Sequence, residues 1–105
     1  MASKSKAKGN RFEYLCRDII QEGGVYCKRA YASNGLALGL TEDVDLLATH
    51  QGEQYPLQCK ARKRIAEWIK PNGNVFAQLI KEDRGEALAV VRLEDLIKLI
   101  KANGQ

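Results

Sequence analysis

The chain lacks the features that mark several classes of protein. No apolar run approaches the ~18 residues of a membrane span, and no apolar stretch follows the basic N-terminus, so we expect no secretory signal, no membrane partner and a cytoplasmic location. The three cysteines are widely spaced and form no CxxC pair, which argues against a zinc site and a disulfide framework. We therefore expect Cys16, Cys27 and Cys59 to be buried, reduced thiols, as in a reducing compartment.

What is present is an ordinary globular composition with an uneven distribution of charge. The 105 residues, 45% of them hydrophobic, suit one domain with a core of its own. Residues 1–64 carry 11 basic and 7 acidic side chains, whereas residues 65–105 carry 6 of each, so the whole excess of +4 lies in the first part. Much of it falls in two clusters: Lys4, Lys6, Lys8 and Arg11, and Lys60, Arg62, Lys63 and Arg64. Clustered basic charge favours a polyanion such as nucleic acid as partner; the alternative is a solvated surface with a flexible tail.

Hydrophobic spacing predicts one α/β domain after a short tail. Residues 1–9 are small or basic and are expected to form a flexible basic arm, and residues 10–105 a single domain. Asn10 is expected to cap the first helix. The predicted elements are helices over 11–22, 62–70 and 93–102, and strands over 25–31, 43–49, 55–61, 75–81 and 87–92. This order predicts a mixed central sheet flanked by helices, with Trp68 as a core anchor or, alternatively, a base-stacking platform.

The middle hairpin can be placed by arithmetic. If Gln51 and Gly52 form a two-residue turn with Gly52 at positive φ, the numbers of paired residues sum to 103. Four polar residues then share one face, because directly paired residues and residues i and i+2 point the same way: Asp43, Asp45, Gln58 and Lys60. Such a polar cluster between apolar strands costs free energy unless it has a function.

A further acid, Glu13, lies in the first predicted helix. At 100° per residue it falls at the margin of the apolar stripe of the first helix, away from the solvated face. The alternative is a surface acid paired with Arg17 one turn later.

These residues resemble a known family. Val44-Asp45-Leu46-Leu47, followed by Gln58-Cys59-Lys60, resembles the core of the PD-(D/E)XK nucleases, in which an Asp on one strand is followed by acidic-x-Lys on the next. Lys8-Gly9 with Glu13, and then Arg29 to Ser33, resemble the opening of the archaeal and phage-type Holliday-junction resolvases. The resemblance implies a restriction-endonuclease-like core. The chain departs from the family at Gln58, where the pattern has Asp or Glu, and at Val44, where it has Pro.

The resemblance also implies a set of roles. Glu13, Asp45, Gln58 and the backbone carbonyl of Cys59 would hold Mg²⁺, for which Mn²⁺ can substitute. Lys60 would orient the attacking water or stabilise charge on the phosphate, and Ser33 would lie near the scissile strand. The residues expected to contact DNA are Lys4, Lys6, Lys8, Arg11, Arg29, Arg62, Lys63 and Arg64.

The expected activity is that of a metal-dependent endodeoxyribonuclease for four-way DNA junctions. Because such a junction has two strands to cut symmetrically, we expect a homodimer, joined through apolar surface on the late strands and the last helix. Two alternatives remain: a nuclease or nickase of the same fold that acts on other DNA, and a nucleic-acid-binding module that has lost catalysis.

Overall fold

The computed structural model of the protein describes residues 4–30 and 42–103, which form a small mixed α/β domain. Its helices are α1 (Lys4–Glu22) and α2 (Leu93–Ala102), with a 3₁₀ turn at Glu67–Ile69. Its strands are β1 (Tyr26–Arg29), β2 (Leu46–His50), β3 (Glu53–Leu57), β4 (Ala77–Ile80) and β5 (Leu88–Val91). Neither helix is long and apolar enough, within the described residues, to cross a membrane.

The first helix begins earlier than its apolar spacing predicts. Residues 4–9, expected to belong to a flexible arm, are helical, and Asn10 lies inside the helix instead of capping it. Lysine and alanine are good helix formers, so this stretch can extend the helix without contributing to the core. The apolar face farther along is as expected, with Cys16 and Ile20 buried.

The hairpin register is confirmed between Leu46 and Leu57. β2 and β3 pair antiparallel with His50 opposite Glu53 and Leu46 opposite Leu57, so the paired numbers sum to 103. Gln51 and Gly52 have φ of 50° and 84°, as a type I′ turn requires at both central positions. β1 adds to the other side of β2, which gives a three-stranded antiparallel sheet in the order β1-β2-β3.

The expectation of one mixed central sheet is wrong. Every described strand pairs antiparallel, and β4 and β5 form a separate two-stranded sheet. The helix expected over 62–70 is also absent, since only Glu67–Ile69 forms a 3₁₀ turn. Pro71 disfavours helical backbone at the residue before it, and nearly all of this segment is exposed, so tertiary packing does not stabilise a helix.

The core lies between the three-stranded sheet and the two helices. Ile20, Val25, Leu46 and Ala48 are almost fully buried, and α2, whose bounds match the prediction, adds Ile97 and Ile100. No residue from 58 to 96 is buried. Trp68, expected as a core anchor, is 64% exposed, because the segment that carries it packs outside this core.

Two glycines test the turn and the early helix start. A Cβ would meet no atom within 4 Å at Gly52 or at Gly9. The effect of an alanine at either position therefore depends only on the backbone conformation there. Gly52→Ala should lower the free energy of unfolding by about 1 kcal/mol, because alanine disfavours positive φ. Gly9→Ala should raise it by up to about 1 kcal/mol, because Gly9 is helical.

Urea denaturation of both variants and the parent, with helix content followed by circular dichroism, provides the measurement. A neutral Gly9→Ala would contradict a helix that begins at Lys4, and a neutral Gly52→Ala would contradict the type I′ turn.

Candidate active site

Asp45 lies where β1, β2 and β3 meet at one end of the sheet. Its backbone carbonyl accepts a hydrogen bond from Ala30 N at 2.8 Å, and its own N donates to Leu57 O at 2.9 Å. Its side-chain Oδ2 accepts from Cys59 N at 2.7 Å. The residue is 8% exposed. Backbone and side chain are therefore both fixed, and this hydrogen bond uses one of the two carboxylate oxygens.

The ladder between β2 and β3 ends at Asp45. The predicted register would place Asp45 opposite Gln58, but Asp45 N bonds to Leu57 O, one residue short of that position. The side chain of Asp45 takes the N–H of Cys59 instead. The chain after Leu57 therefore leaves the sheet, and Gln58 and Lys60 become exposed rather than forming a polar ladder with Asp45.

Glu13 is the second buried acid, at 6% exposed. Its Oε1 accepts a hydrogen bond from Arg29 Nε at 2.8 Å, and Arg29 Nη2 donates to Asn10 Oδ1 at 3.0 Å. The guanidinium of Arg29 lies 4.7 Å from the centre of the Tyr14 ring. Arg17, the alternative partner of Glu13, pairs with Asp18. Sequence reasoning missed the Glu13–Arg29 pair, because its members lie on α1 and β1 and no local spacing links them.

Cys59 connects the two acids electrostatically. Burial, the neighbouring Cys16 thiol and then the carboxylates of Asp45 and Glu13 raise the pKa of Cys59 to about 12. Asp45 accepts a hydrogen bond from the N–H of this residue, and Glu13 is close enough to influence its thiol electrostatically. Burial likewise raises the pKa of Cys16, and that of Cys27 to about 11. All three cysteines are free thiols, as expected, although Cys59 is only partly buried.

Basic residues line two grooves near Cys59. One groove of about 500 Å³ runs between the start of α1 and the segment after β3; its lining includes Lys8, Lys60, Arg62 and Lys63. A neighbouring groove of about 770 Å³ is lined by Lys60 to Ile65, together with Phe12, Glu67 and Lys70. Lys60 borders both grooves, and the first groove also reaches Cys59, whose N–H is bonded to the Asp45 carboxylate.

The remaining predicted site residues are not all part of this arrangement. Arg11 is exposed, whereas Arg29 is largely occupied by Glu13 and Asn10. Ser33 and the side chains of Lys4 and Lys6 lie outside the described residues. The structure thus bonds Asp45 to Cys59, places Glu13 within electrostatic range of Cys59 and leaves Gln58 exposed.

The donor set suits a hard cation in its chemistry. Within residues 4–30 and 42–103, no group of three or more His, Cys, Asp or Glu side chains is arranged to hold a metal ion. Mg²⁺, however, commonly uses one or two carboxylates and completes its shell with waters and phosphate oxygens. By chemical type, the carboxylates of Glu13 and Asp45 and a backbone carbonyl are donors of this kind, and Arg29 competes for Glu13.

The comparisons with known proteins add no relative. No protein-family model, curated protein or solved structure matches this chain. The case for a function therefore depends on the geometry of Glu13, Asp45 and the basic grooves.

The Glu13–Arg29 pair makes a direct prediction about stability. The two side chains are 7% and 18% exposed, so Arg29→Gln leaves a buried carboxylate without its main cation. We expect a loss of about 2–3 kcal/mol in the free energy of unfolding, measured by urea denaturation in EDTA. Adding Glu13→Gln should recover at least about 1 kcal/mol, because the uncompensated charge is then removed.

Arg17→Gln is the matched control. Its partner Asp18 is 53% exposed, so the change should stay within about 0.5 kcal/mol. Strictly additive effects of the Arg29 and Glu13 substitutions would show that the pair does not couple.

Proposed function

We propose that this protein is a Mg²⁺-dependent, structure-selective DNA endonuclease that acts on four-way junctions. The observation that carries the proposal is that two buried carboxylates, Glu13 and Asp45, both act on Cys59, whose N–H bonds to Asp45 and whose neighbour Lys60 borders two basic grooves. The elements involved are separate in the chain, since α1 supplies Glu13, the entry to β2 supplies Asp45 and the exit of β3 supplies Cys59 and Lys60.

Burial of the two acids supports a role for them. A carboxylate removed from water loses solvation free energy, and ion pairs or hydrogen bonds must compensate for that loss. Arg29 compensates Glu13, and the N–H of Cys59 compensates Asp45. Neither acid is exposed to solvent, where a carboxylate without a function would cost the least free energy.

Lys60 and the two grooves supply the complementary charge. A phosphodiester backbone is attracted to clustered lysine and arginine regardless of base sequence. Lys8, Arg62 and Lys63 line the groove that borders Cys59 and would position the backbone. Lys60, on the same border, would stabilise the charge that develops on the cleaved phosphate.

The metal would be held by Glu13, Asp45 and the carbonyl of Cys59, with Gln58 within reach along the chain. When bound, Mg²⁺ supplies an activated water and positive charge for phosphodiester hydrolysis. The hydrogen bond from Cys59 N fixes the orientation of the Asp45 carboxylate. Arg29 holds Glu13 in place through the Nε hydrogen bond.

Fold and location follow as parts of the same proposal. We take α1 packed on the sheet β1-β2-β3 as the centre of a restriction-endonuclease-like core, consistent with the order of the elements. The three free thiols suit a reducing compartment, so we place the activity in the cytoplasm.

Asp45→Asn and Lys60→Ala should each reduce cleavage of a labelled four-way junction by about 10²-fold or more, since each removes charge from the reacting centre. Junction binding should stay within about threefold, because many phosphate contacts contribute to it. The matched controls are Asp18→Asn and Lys98→Ala, exposed residues of the same types. Cleavage is measured with and without Mg²⁺, against a linear duplex of the same sequence.

The outcomes separate the candidates. Wild-type cleavage by either site variant would show that the active site lies elsewhere. Equal cleavage of junction and duplex would favour a nuclease or nickase with another DNA substrate. Binding by the parent without any cleavage would favour a nucleic-acid-binding module.

That last candidate has specific support. Arg29 already neutralises Glu13, and Gln58 provides an uncharged and exposed side chain where the resembled family has an acid. A chain with this arrangement could bind DNA through its grooves while holding a cation weakly.

Gln58→Glu tests this point. A carboxylate is a better donor for a hard cation than an amide, so the variant should cleave at lower Mg²⁺ than the parent, by about tenfold in half-saturating concentration. Mg²⁺ should also raise its melting temperature more than that of the parent, because the ion binds only the folded state. Gln54→Glu, exposed on β3 toward the other end of the strand, is the control. Superimposable Mg²⁺ titrations for Gln58→Glu and the parent would place Gln58 outside the metal shell.

A further inference from the structure

Two of the three free thiols lie together beside an apolar cavity. Cys16 on α1 and Cys59 after β3 both line this cavity, which has a volume of about 230 Å³ and mainly aliphatic walls, such as Leu46 and Leu57. Cys16 belongs to the buried core, and Cys59 packs against that core. The two thiols share a hydrogen bond, so their sulfur atoms are neighbours in the reduced protein.

Cys59 also borders the basic groove between α1 and the segment after β3. The lining of that groove includes Lys8, Lys60, Arg62 and Lys63 together with Cys59. Cys59 is partly exposed, whereas Cys16 is only 7% exposed. A molecule in the groove therefore meets Cys59 first, with Cys16 behind it in the apolar cavity. An accessible thiol next to a second, resolving thiol is a common arrangement in reversible oxidation.

The surroundings of the two thiols permit a bond between them. The backbone of Cys59 is fixed by the hydrogen bond from its N to Asp45 Oδ2 at 2.7 Å, and that of Cys16 by the packing of α1 on the sheet. A disulfide requires the two sulfur atoms to approach to about 2.0 Å. The cavity beside them leaves room for the side-chain rotation that this approach needs.

Cys27 is a poorer partner for either thiol. It lies on β1, is 2% exposed, and lines neither the cavity nor the basic groove. It borders a different groove, beside Tyr14 and Arg29. The Cys16 thiol acts on Cys27 only through its charge, whereas a hydrogen bond joins Cys16 to Cys59. The geometry therefore favours one pair of thiols over the others.

We propose that Cys16 and Cys59 are a reversible dithiol–disulfide pair that exchanges with a small anionic disulfide in the basic groove. In the first step the sulfur of Cys59 bonds to one sulfur of the reagent RSSR, the S–S bond of the reagent breaks, and the Cys59 proton leaves on the first RSH. In the second step the sulfur of Cys16 displaces the remaining RS group from Cys59, and the Cys16 proton leaves on the second RSH. The protein thereby loses two hydrogen atoms, and the reagent is reduced to two thiols.

The charge of the groove determines which disulfide it attracts. Clustered lysine and arginine raise the local concentration of an anion. Glutathione disulfide carries more carboxylates than ammonium groups, so it is an anion of this kind and serves as the probe. In a reducing compartment an excess of reduced glutathione keeps such a pair as thiols, and the disulfide forms when oxidised glutathione accumulates.

Burial raises the pKa of both thiols, so the reduced pair is protonated near neutral pH. The exchange is therefore slow, because the thiolate is the attacking species. The position of the equilibrium is a separate quantity. A disulfide is strongly oxidising when its reduced thiolate is stabilised, and this pair has no such stabilisation. The pairing is therefore measured in samples that have reached equilibrium.

The disulfide would join the two walls of the basic groove. Cys16 belongs to α1, which supplies Lys8, and Cys59 directly precedes Lys60 in the other wall. A bond between positions 16 and 59 also restricts the unfolded chain, which stabilises the folded state relative to the unfolded one. Neither effect requires DNA, a metal ion or cleavage, so this inference does not rest on the proposed nuclease.

The test uses the full chain in its folded state, without DNA or metal. The protein is equilibrated with glutathione buffers of different redox ratio, quenched with acid, blocked with N-ethylmaleimide and digested with trypsin. The three cysteines fall on separate tryptic peptides, residues 12–17, 18–28 and 30–60, so mass spectrometry distinguishes every pairing. The main crosslink in excess oxidised glutathione should join 12–17 to 30–60, and excess reduced glutathione should remove it.

Serine substitutions locate the pair. Cys27→Ser should keep the crosslink, whereas Cys59→Ser should abolish it and leave Cys16 and Cys27 reduced. The oxidised parent should unfold at higher urea than the reduced parent, with an unfolding equilibrium constant about 30-fold lower or less. Cys59→Ser in the same two buffers should show no such difference. Circular dichroism checks that each variant is folded.

Initial rates test the charge of the reagent. The rate of crosslinking by glutathione disulfide is divided by that for uncharged hydroxyethyl disulfide, and the same ratio is measured for mercaptoethanol. At low salt the ratio for the parent should exceed that for mercaptoethanol by about tenfold, and added salt should reduce it. Lys63→Gln should lower the ratio, whereas Lys98→Gln, which alters an exposed lysine of α2, should leave it unchanged.

Several results would overturn the proposal. A main crosslink between 12–17 and 18–28, glutathione held on Cys59 without an internal crosslink, or a crosslink that forms only in urea would each contradict the pair. Equal rate ratios for the parent and mercaptoethanol would contradict an anionic reagent. The nuclease proposal is tested separately, since a protein that forms the crosslink but cleaves no DNA would contradict the nuclease and leave the thiol pair standing.

Discussion

The hydrogen bond from Cys59 N to the Asp45 carboxylate determines how the rest of this molecule is arranged. In a regular hairpin that N–H would serve the backbone, and β3 would continue alongside β2. With Asp45 as its acceptor, the ladder stops at Leu46 and Leu57 and the chain leaves the sheet. The lysine and arginine run that follows lies outside the sheet, where it lines two grooves.

Compensation of buried charge is the second constraint, and it ties the first helix to the sheet. Glu13 lies on the inward side of α1, and Arg29 reaches it from β1 while also contacting Asn10 and stacking on Tyr14. Each partner depends on the other, because an unpaired buried ion costs several kcal/mol. Because Arg29 occupies Glu13 Oε1, the same pair also limits how readily Glu13 can bind a metal ion. One contact therefore affects both the stability of the fold and the proposed metal site.

The two parts of the fold differ in what holds them. The three-stranded sheet and the two helices share a dry core of aliphatic residues and cysteine. The segment from Gln58 to Arg92 depends on carbonyls that accept from Arg92 and Gln78, and several of its large apolar side chains, such as Trp68 and Leu79, are exposed.

Local physics made part of this structure readable from the sequence. The period-2 alternation and the Gln51-Gly52 turn determined the register of the β2–β3 hairpin, and the spacing of Leu93, Leu96, Ile97 and Ile100 determined the last helix. The inward position of Glu13 followed from helical geometry, and free thiols followed from cysteine spacing. In each case the signal lies within a few residues of the structure it predicts.

Long-range contacts decided the rest. Only the tertiary structure paired Glu13 with Arg29, sixteen residues away, and gave the N–H of Cys59 to Asp45 in place of a ladder bond. It also separated β4 and β5 from the main sheet and left Trp68 exposed, although an aromatic residue at that spacing suits a core equally well. Apolar periodicity shows which face of a segment must be covered, but what covers it depends on distant parts of the chain or on another molecule.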